Sequence, residues 1–162
     1  MSCDAVSALF LMFTASGPVP DAPARLIHIA ELTVPAAPGS VAGEPMFADI
    51  IARASGLNSR VTALREAVKA SPGGGLPGYS NFKSEIAALA VADQAGSDEL
   101  RKRGGDSDLK CILHGIYQDL PKRLSELEAA ATPGDKDKAL REMSYLLRDN
   151  VEVITAPPAP PV

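Results

Sequence analysis

The sequence predicts an all-α fold, roughly a four-helix bundle with an irregular N-terminal arm and a disordered proline-rich C-terminal tail. Three observations carry that expectation. Apolar residues make up 46% of the chain, yet aromatics reach only 4% and tryptophan is absent. The core therefore has to be assembled from Ala, Leu, Ile and Val, which pack helices closely side by side. From Phe47 onward, apolar positions recur at the three- and four-residue steps of a helix face. Finally, two long amphipathic stretches meet at the short turn Thr132-Pro133-Gly134-Asp135, so residues 107 to 154 should form an antiparallel αα-hairpin.

Residues 1 to 44 read as an arm. Residues 5 to 15, AVSALFLMFTA, have the length of a signal-peptide core and are too short for a membrane span. The preceding residues carry Asp4 and no Lys or Arg, which favours a short buried helix capped by Asp4 and stopped at Gly17-Pro18. A cytoplasmic protein is the expectation. Export is the alternative if residues 1 to 17 are a signal peptide. Six of the fourteen prolines fall between Pro18 and Pro45. They are interrupted by RLIHIAELTV, residues 25 to 34, whose β-branched content suggests a short extended segment.

The bundle spans residues 45 to 154. Pro45 opens a first helix at a tolerated first-turn position, with Phe47, Ile50, Ile51, Ala54, Val61, Leu64 and Val68 on one face. Gly56 marks a bend or break. The linker SPGGGLPGYS, residues 71 to 80, cannot continue a helix or a strand. Its Gly73 and Gly78 have the spacing of a phosphate-cradling loop and Ser80 stands where the magnesium-binding hydroxyl would be, but Tyr79 occupies the lysine position, so a hinge is the reading. A second helix begins near Asn81, carries Phe82, Ile86 and Leu89, and falters at Ala95-Gly96. The third, capped within Asp106-Ser107-Asp108, carries Leu109, Leu113, Ile116, Leu120, Leu124, Leu127 and Ala131. Pro121 lies inside it and favours a kink or a fresh helical start. The fourth carries Ala139, Met143, Leu146, Leu147 and Ile154. Residues 155 to 162, TAPPAPPV, form the tail, with a composition suited to extended polyproline conformation.

A formal charge of −4 gives no general Lys/Arg excess with which to neutralise phosphates, and the one basic cluster, Arg101-Lys102-Arg103, stands among acids. Nucleic acid is therefore not the expected partner. No stretch of the sequence approaches transmembrane length. Two cysteines make no disulfide framework, so reduced thiols are expected.

Chemistry-bearing residues concentrate on the third helix. At about 100° per residue, His114 points roughly 120° and Cys111 roughly 180° from the leucine stripe centred on Leu120. With Ser107 and Gln118 they form a second line, on which Cys111, His114 and Gln118 are a candidate partner-binding face outside the core. Cys111 and His114 also supply two metal ligands, and a closed zinc site would need His28 and Cys3 from the arm. As a nucleophile Cys111 has a nearby histidine but no oxyanion hole or hydrolase signature. No cofactor is expected.

The run GGDSDLKCILHGIYQDLPKRLSELEAAATPGDKDKALREMSYLLRDN resembles the central hairpin of histidine phosphotransfer domains. That family carries its phosphoacceptor in a pattern of the form AHxLKG. Here Met143-Ser144-Tyr145-Leu146-Leu147-Arg148 stands in its place: Leu146 fits, Ser144 replaces the histidine, Leu147 the lysine and Arg148 the glycine. The resemblance implies an inactive relative that docks a partner without phosphotransfer. His114 also resembles the first-helix histidine of sensor-kinase dimerisation hairpins, with Gly115 in place of the charged neighbour. The function expected from the residues themselves is a non-enzymatic interaction, adaptor or regulatory protein that binds another protein chain or its own copy. A phosphorelay-related protein and a metal-binding protein are the alternatives.

Overall fold

A computed structural model describes residues 40 to 104 and 108 to 156 of the 162 in the chain. The described residues form four helices: α1 (Pro45–Ala70), α2 (Tyr79–Lys102), α3 (Leu109–Ala129) and α4 (Pro133–Thr155). The short bundle loops turn each helix back on its predecessor. α1 packs against α2 and α4, α3 packs against the same two, and α2 and α4 face each other across a diagonal.

Each helix buries a stripe built mainly on three- and four-residue steps. On α1 the stripe is Phe47, Ile50, Ala54, Leu57, Val61, Leu64 and Val68. On α3 it is Leu109, Leu113, Ile116, Leu120, Leu124 and Leu127. This repeat keeps the apolar seam turned inward along helices inclined slightly to one another, the packing of four-helix bundles. Ile51 and Leu146, both expected in the core, are only half-buried, and Ala131 is exposed beyond the end of α3. Leu57 and Leu140 are buried. The stripe follows helical geometry rather than hydrophobicity alone.

Two expected interruptions are absent. α1 runs unbroken through Gly56, and space around a Cβ at that position is open. Gly56→Ala is therefore expected to stabilise the bundle by about 0.5–1 kcal/mol, measured by urea unfolding, because it removes backbone entropy without a clash. α2 likewise continues through Gly96, which is buried. A Cβ there would sit 3.2 Å from Ile50 Cδ1, 3.2 Å from Phe47 Cε1 and 3.4 Å from Leu113 Cδ1. Gly96 is thus a point of close helix approach, and the packed neighbours offset its weak helix propensity. Pro121 sits on the exposed side of α3, where the helix passes through it.

Helix ends follow local chemistry. Thr132 caps α4: its hydroxyl accepts from the Asp135 backbone N–H at 3.1 Å and donates to Asp135 Oδ2 at 2.7 Å. Pro133 fills the first turn, where no intrahelical donor is needed. Gly78 stands before α2 with φ 64°, a left-handed conformation suited to glycine. Its carbonyl accepts from Arg60 Nη2 at 3.2 Å, so the end of the linker is tied to α1. Asp108 holds the N-cap position of α3 but makes no side-chain capping bond. Asp106, Ser107, residues 25 to 34, where an extended segment is expected, and the final prolines lie outside the described residues.

Every pair of adjacent helices also carries an ion pair: Arg60–Glu85 for α1 and α2, Lys83–Glu128 for α2 and α3, Arg123–Glu142 for α3 and α4, and Arg65–Asp137 for α1 and α4. Such partly exposed pairs contribute little individually, about 0–1 kcal/mol. Distributed in this way they disfavour a slipped register. At one end of the bundle Arg103 grips Glu44 through two hydrogen bonds of 2.8 and 2.7 Å and lies over the Phe47 ring. That guanidinium holds the Glu44 carboxyl below its usual range.

Candidate functional site

The line read from α3 is brought together and kept outside the core. Cys111 and His114 are half-buried and Gln118 is exposed, while Leu113, Ile116 and Leu120 fill the interior. α2 completes a hydrogen-bonded ladder. Gln94 Nε2 donates to Asp98 Oδ1 at 3.0 Å, which turns Gln94 Oε1 toward His114 Nδ1, also at 3.0 Å. An amide oxygen can only accept, so this orientation assigns the proton to Nδ1 and leaves Nε2 as the acceptor. Gln118 Nε2 supplies the matching donor at 3.1 Å. The Tyr117 ring lies beside the imidazole, with centroids 5.9 Å apart.

Both ring nitrogens of His114 are thus engaged by amides. A metal ion at His114 would have to displace Gln118 or Gln94. Cys111 is disulfide-bonded rather than the reduced thiol expected from the cysteine count, so its sulfur is not a thiolate ligand. Cys3 and His28 lie outside the described residues. Among those described, no group of three or more His, Cys, Asp or Glu is placed to hold a metal ion. Ser144, which stands at the phosphoacceptor position in the resemblance, is half-buried between α4 and α1 and donates to Asn58 Oδ1 at 2.6 Å.

Beside the ladder, α2 presents an outward face of unusual composition. Ala87, Ala88, Val91 and Ala95 are exposed, Val91 at 66%, and the charged residue among them, Asp93, points inward. Val91, Ala95 and Asp98 follow at helical steps of four and three, so this surface runs directly into the ladder. The outer surfaces of the other helices carry charged groups such as Asp49 and Arg53 on α1, or Asp119 and Lys122 on α3.

Two polar residues that hydropathy passes over lie in the interior of the bundle. Asp93 on α2 and Asn150 on α4 are both 0% exposed. Asn150 Nδ2 donates to the two carboxylate oxygens of Asp93 at 2.9 and 3.0 Å. Burial pushes the Asp93 carboxyl up to about 7, against the opposing hydrogen bond from Asn150. Asn150 Oδ1 is buried without a partner. The third buried polar residue, Ser97, is satisfied by donating to the Lys110 carbonyl at 2.6 Å. The sequence does signal the pair: Asp93 falls in the series Phe82, Ile86, Leu89, Asp93, Gly96 and Leu100, and Asn150 in Met143, Leu147, Asn150 and Ile154.

No family model matches the chain, and neither the curated proteins nor the solved structures include a match. Among the described residues no helix is long and apolar enough to cross a membrane.

Proposed function

We propose that the chain is a non-enzymatic interaction protein that binds another protein chain through the outward face of α2 and the adjoining line of α3. The observation carrying this reading is the charge-poor exposed stretch from Ala87 to Ala95, with Val91 at 66% exposure, continuous with the Gln94–His114–Gln118 ladder. Interface centres are depleted in charge and bordered by polar groups that can exchange hydrogen bonds. Alanines allow a partner helix to approach closely. The ladder amides are the polar rim, and His114 holds Gln118 in place for it. The bundle serves as the platform that presents this face.

Val91→Arg tests this reading. A long cation at the centre of the proposed interface should weaken partner binding or self-association at least about tenfold, as read by light scattering and by affinity capture with the tagged full chain. Thermal stability should stay within about 0.5 kcal/mol, since the position is on the surface. A wild-type chain that remains monomeric and retains no protein, or a Val91→Arg chain that associates as well as wild type, overturns the proposal.

A further inference from the structure

Asp93 and Asn150 join α2 to α4 across the bundle diagonal, and neither role is needed for the surface described above. We propose that this pair is a proton-linked latch: it holds α2 and α4 together while Asp93 carries a proton and loosens them when Asp93 ionises. The geometry supports this because the carboxyl is 0% exposed to solvent and its hydrogen-bonding partner is a neutral amide. A sealed carboxylate needs a cation or several donors to offset its lost hydration.

Charged groups on the four helices engage other partners or face outward. On α1, Asp49 and Arg53 pair with each other at 2.7 Å. On α2, Asp98 receives the Gln94 amide and Arg103 reaches Glu44 and Glu99. On α3, His114 is held between Gln94 and Gln118. On α4, Arg148 lies over the exposed Tyr145 ring, and Asp149 and Glu152 face outward. The influences on the Asp93 carboxyl are its burial and the Asn150 amide.

The two protonation states call for different amide orientations. With Asp93 ionised, Asn150 Nδ2 donates to both oxygens and Oδ1 is left unpaired. With Asp93 protonated, a reversed amide lets its O–H donate to Asn150 Oδ1. Either orientation leaves one amide atom unsatisfied. The ionised state adds a buried charge to that cost, and opening the diagonal to water relieves both.

The direction of the pH dependence follows. Folding raises this carboxyl from its ordinary value of 3.8 to about 7, so between those values the folded chain holds a proton that the unfolded chain has released. Stability from this group is fully present below about 4, declines as pH rises and levels off above about 7. Carbon-13 titration of the Asp93 carboxyl in the full chain should show a midpoint near 7, and a midpoint below about 5 overturns the latch. Relative to Asp93→Asn, the wild-type unfolding constant should rise about a thousandfold from pH 4 to pH 8. Hydrogen exchange corrected for its intrinsic pH dependence should accelerate over the same range, chiefly in the parts of α2 and α4 around the pair. Acceleration spread evenly over all four helices, or none, contradicts the latch. If Asp93→Asn fails to fold, the titration and exchange measurements on the wild type decide the matter.

Discussion

Asn150→Asp is expected to destabilise the bundle by about 4 kcal/mol at pH 8 and by much less at pH 5. The change places a second carboxyl within hydrogen-bonding reach of Asp93, at a position with 0% exposure. Two sealed carboxyls at that separation cannot both ionise. At pH 5 both can hold protons and hydrogen-bond to each other, whereas at pH 8 the fold must retain protons that the unfolded chain gives up freely. Each unit by which burial raises a carboxyl is about 1.4 kcal/mol, and a second residue raised as far as Asp93 gives the expected cost. The reciprocal exchange, Asp93→Asn with Asn150→Asp, restores one acid and one amide and should recover most of the loss. Urea unfolding of the two single variants and the double at both pH values checks this. Equal destabilisation by Asn150→Asp at pH 5 and pH 8 would show that volume, not ionisation, governs the site.

Phe47→Ala is expected to cost about 3–5 kcal/mol, the loss of a fully buried aromatic together with the cavity left behind. Phe47 is 0% exposed, its ring lies beneath Arg103, and its Cε1 would be 3.2 Å from a Cβ at Gly96. That last contact makes the prediction specific. In the wild type, Gly96→Leu should destabilise by about 1–3 kcal/mol through overpacking against Phe47, Ile50 and Leu113. In the Phe47→Ala background the same leucine enters the vacated space and should stabilise. Denaturation of the four chains in this cycle measures the coupling, and additive effects would mean that α1 and α2 do not meet at Gly96.

The helical fold was legible in the sequence because most buried positions are apolar and recur at regular steps. It became obscure where the step was kept and the chemistry changed. Asp93, Gly96 and Ser97 look like the decay of a helix, yet Asp93 and Gly96 occupy successive core positions on α2. Leu146 draws attention away from Asn150, which holds the true position on α4. Either polar residue alone looks misplaced, and only the fold shows that they meet. The same distinction applies at the surface. Spacing placed Cys111, His114 and Gln118 on one line because all three share a helix. Gln94 and Asp98 were missed because their partnership with His114 depends on how α2 lies against α3. Residues 5 to 15 and 25 to 34, and with them Cys3 and His28, lie outside the described residues.

The proposed interface is tested most directly by a photo-crosslinking amino acid placed at Val91 and, separately, at Arg53 on the charged outer face of α1. The expected result is one adduct of defined mass from Val91, identified by mass spectrometry as a single partner or a second copy of the chain. It should be lost on adding Ala95→Arg and absent from the Arg53 chain. No adduct from Val91, or the same adducts from both positions, would contradict an interface on α2.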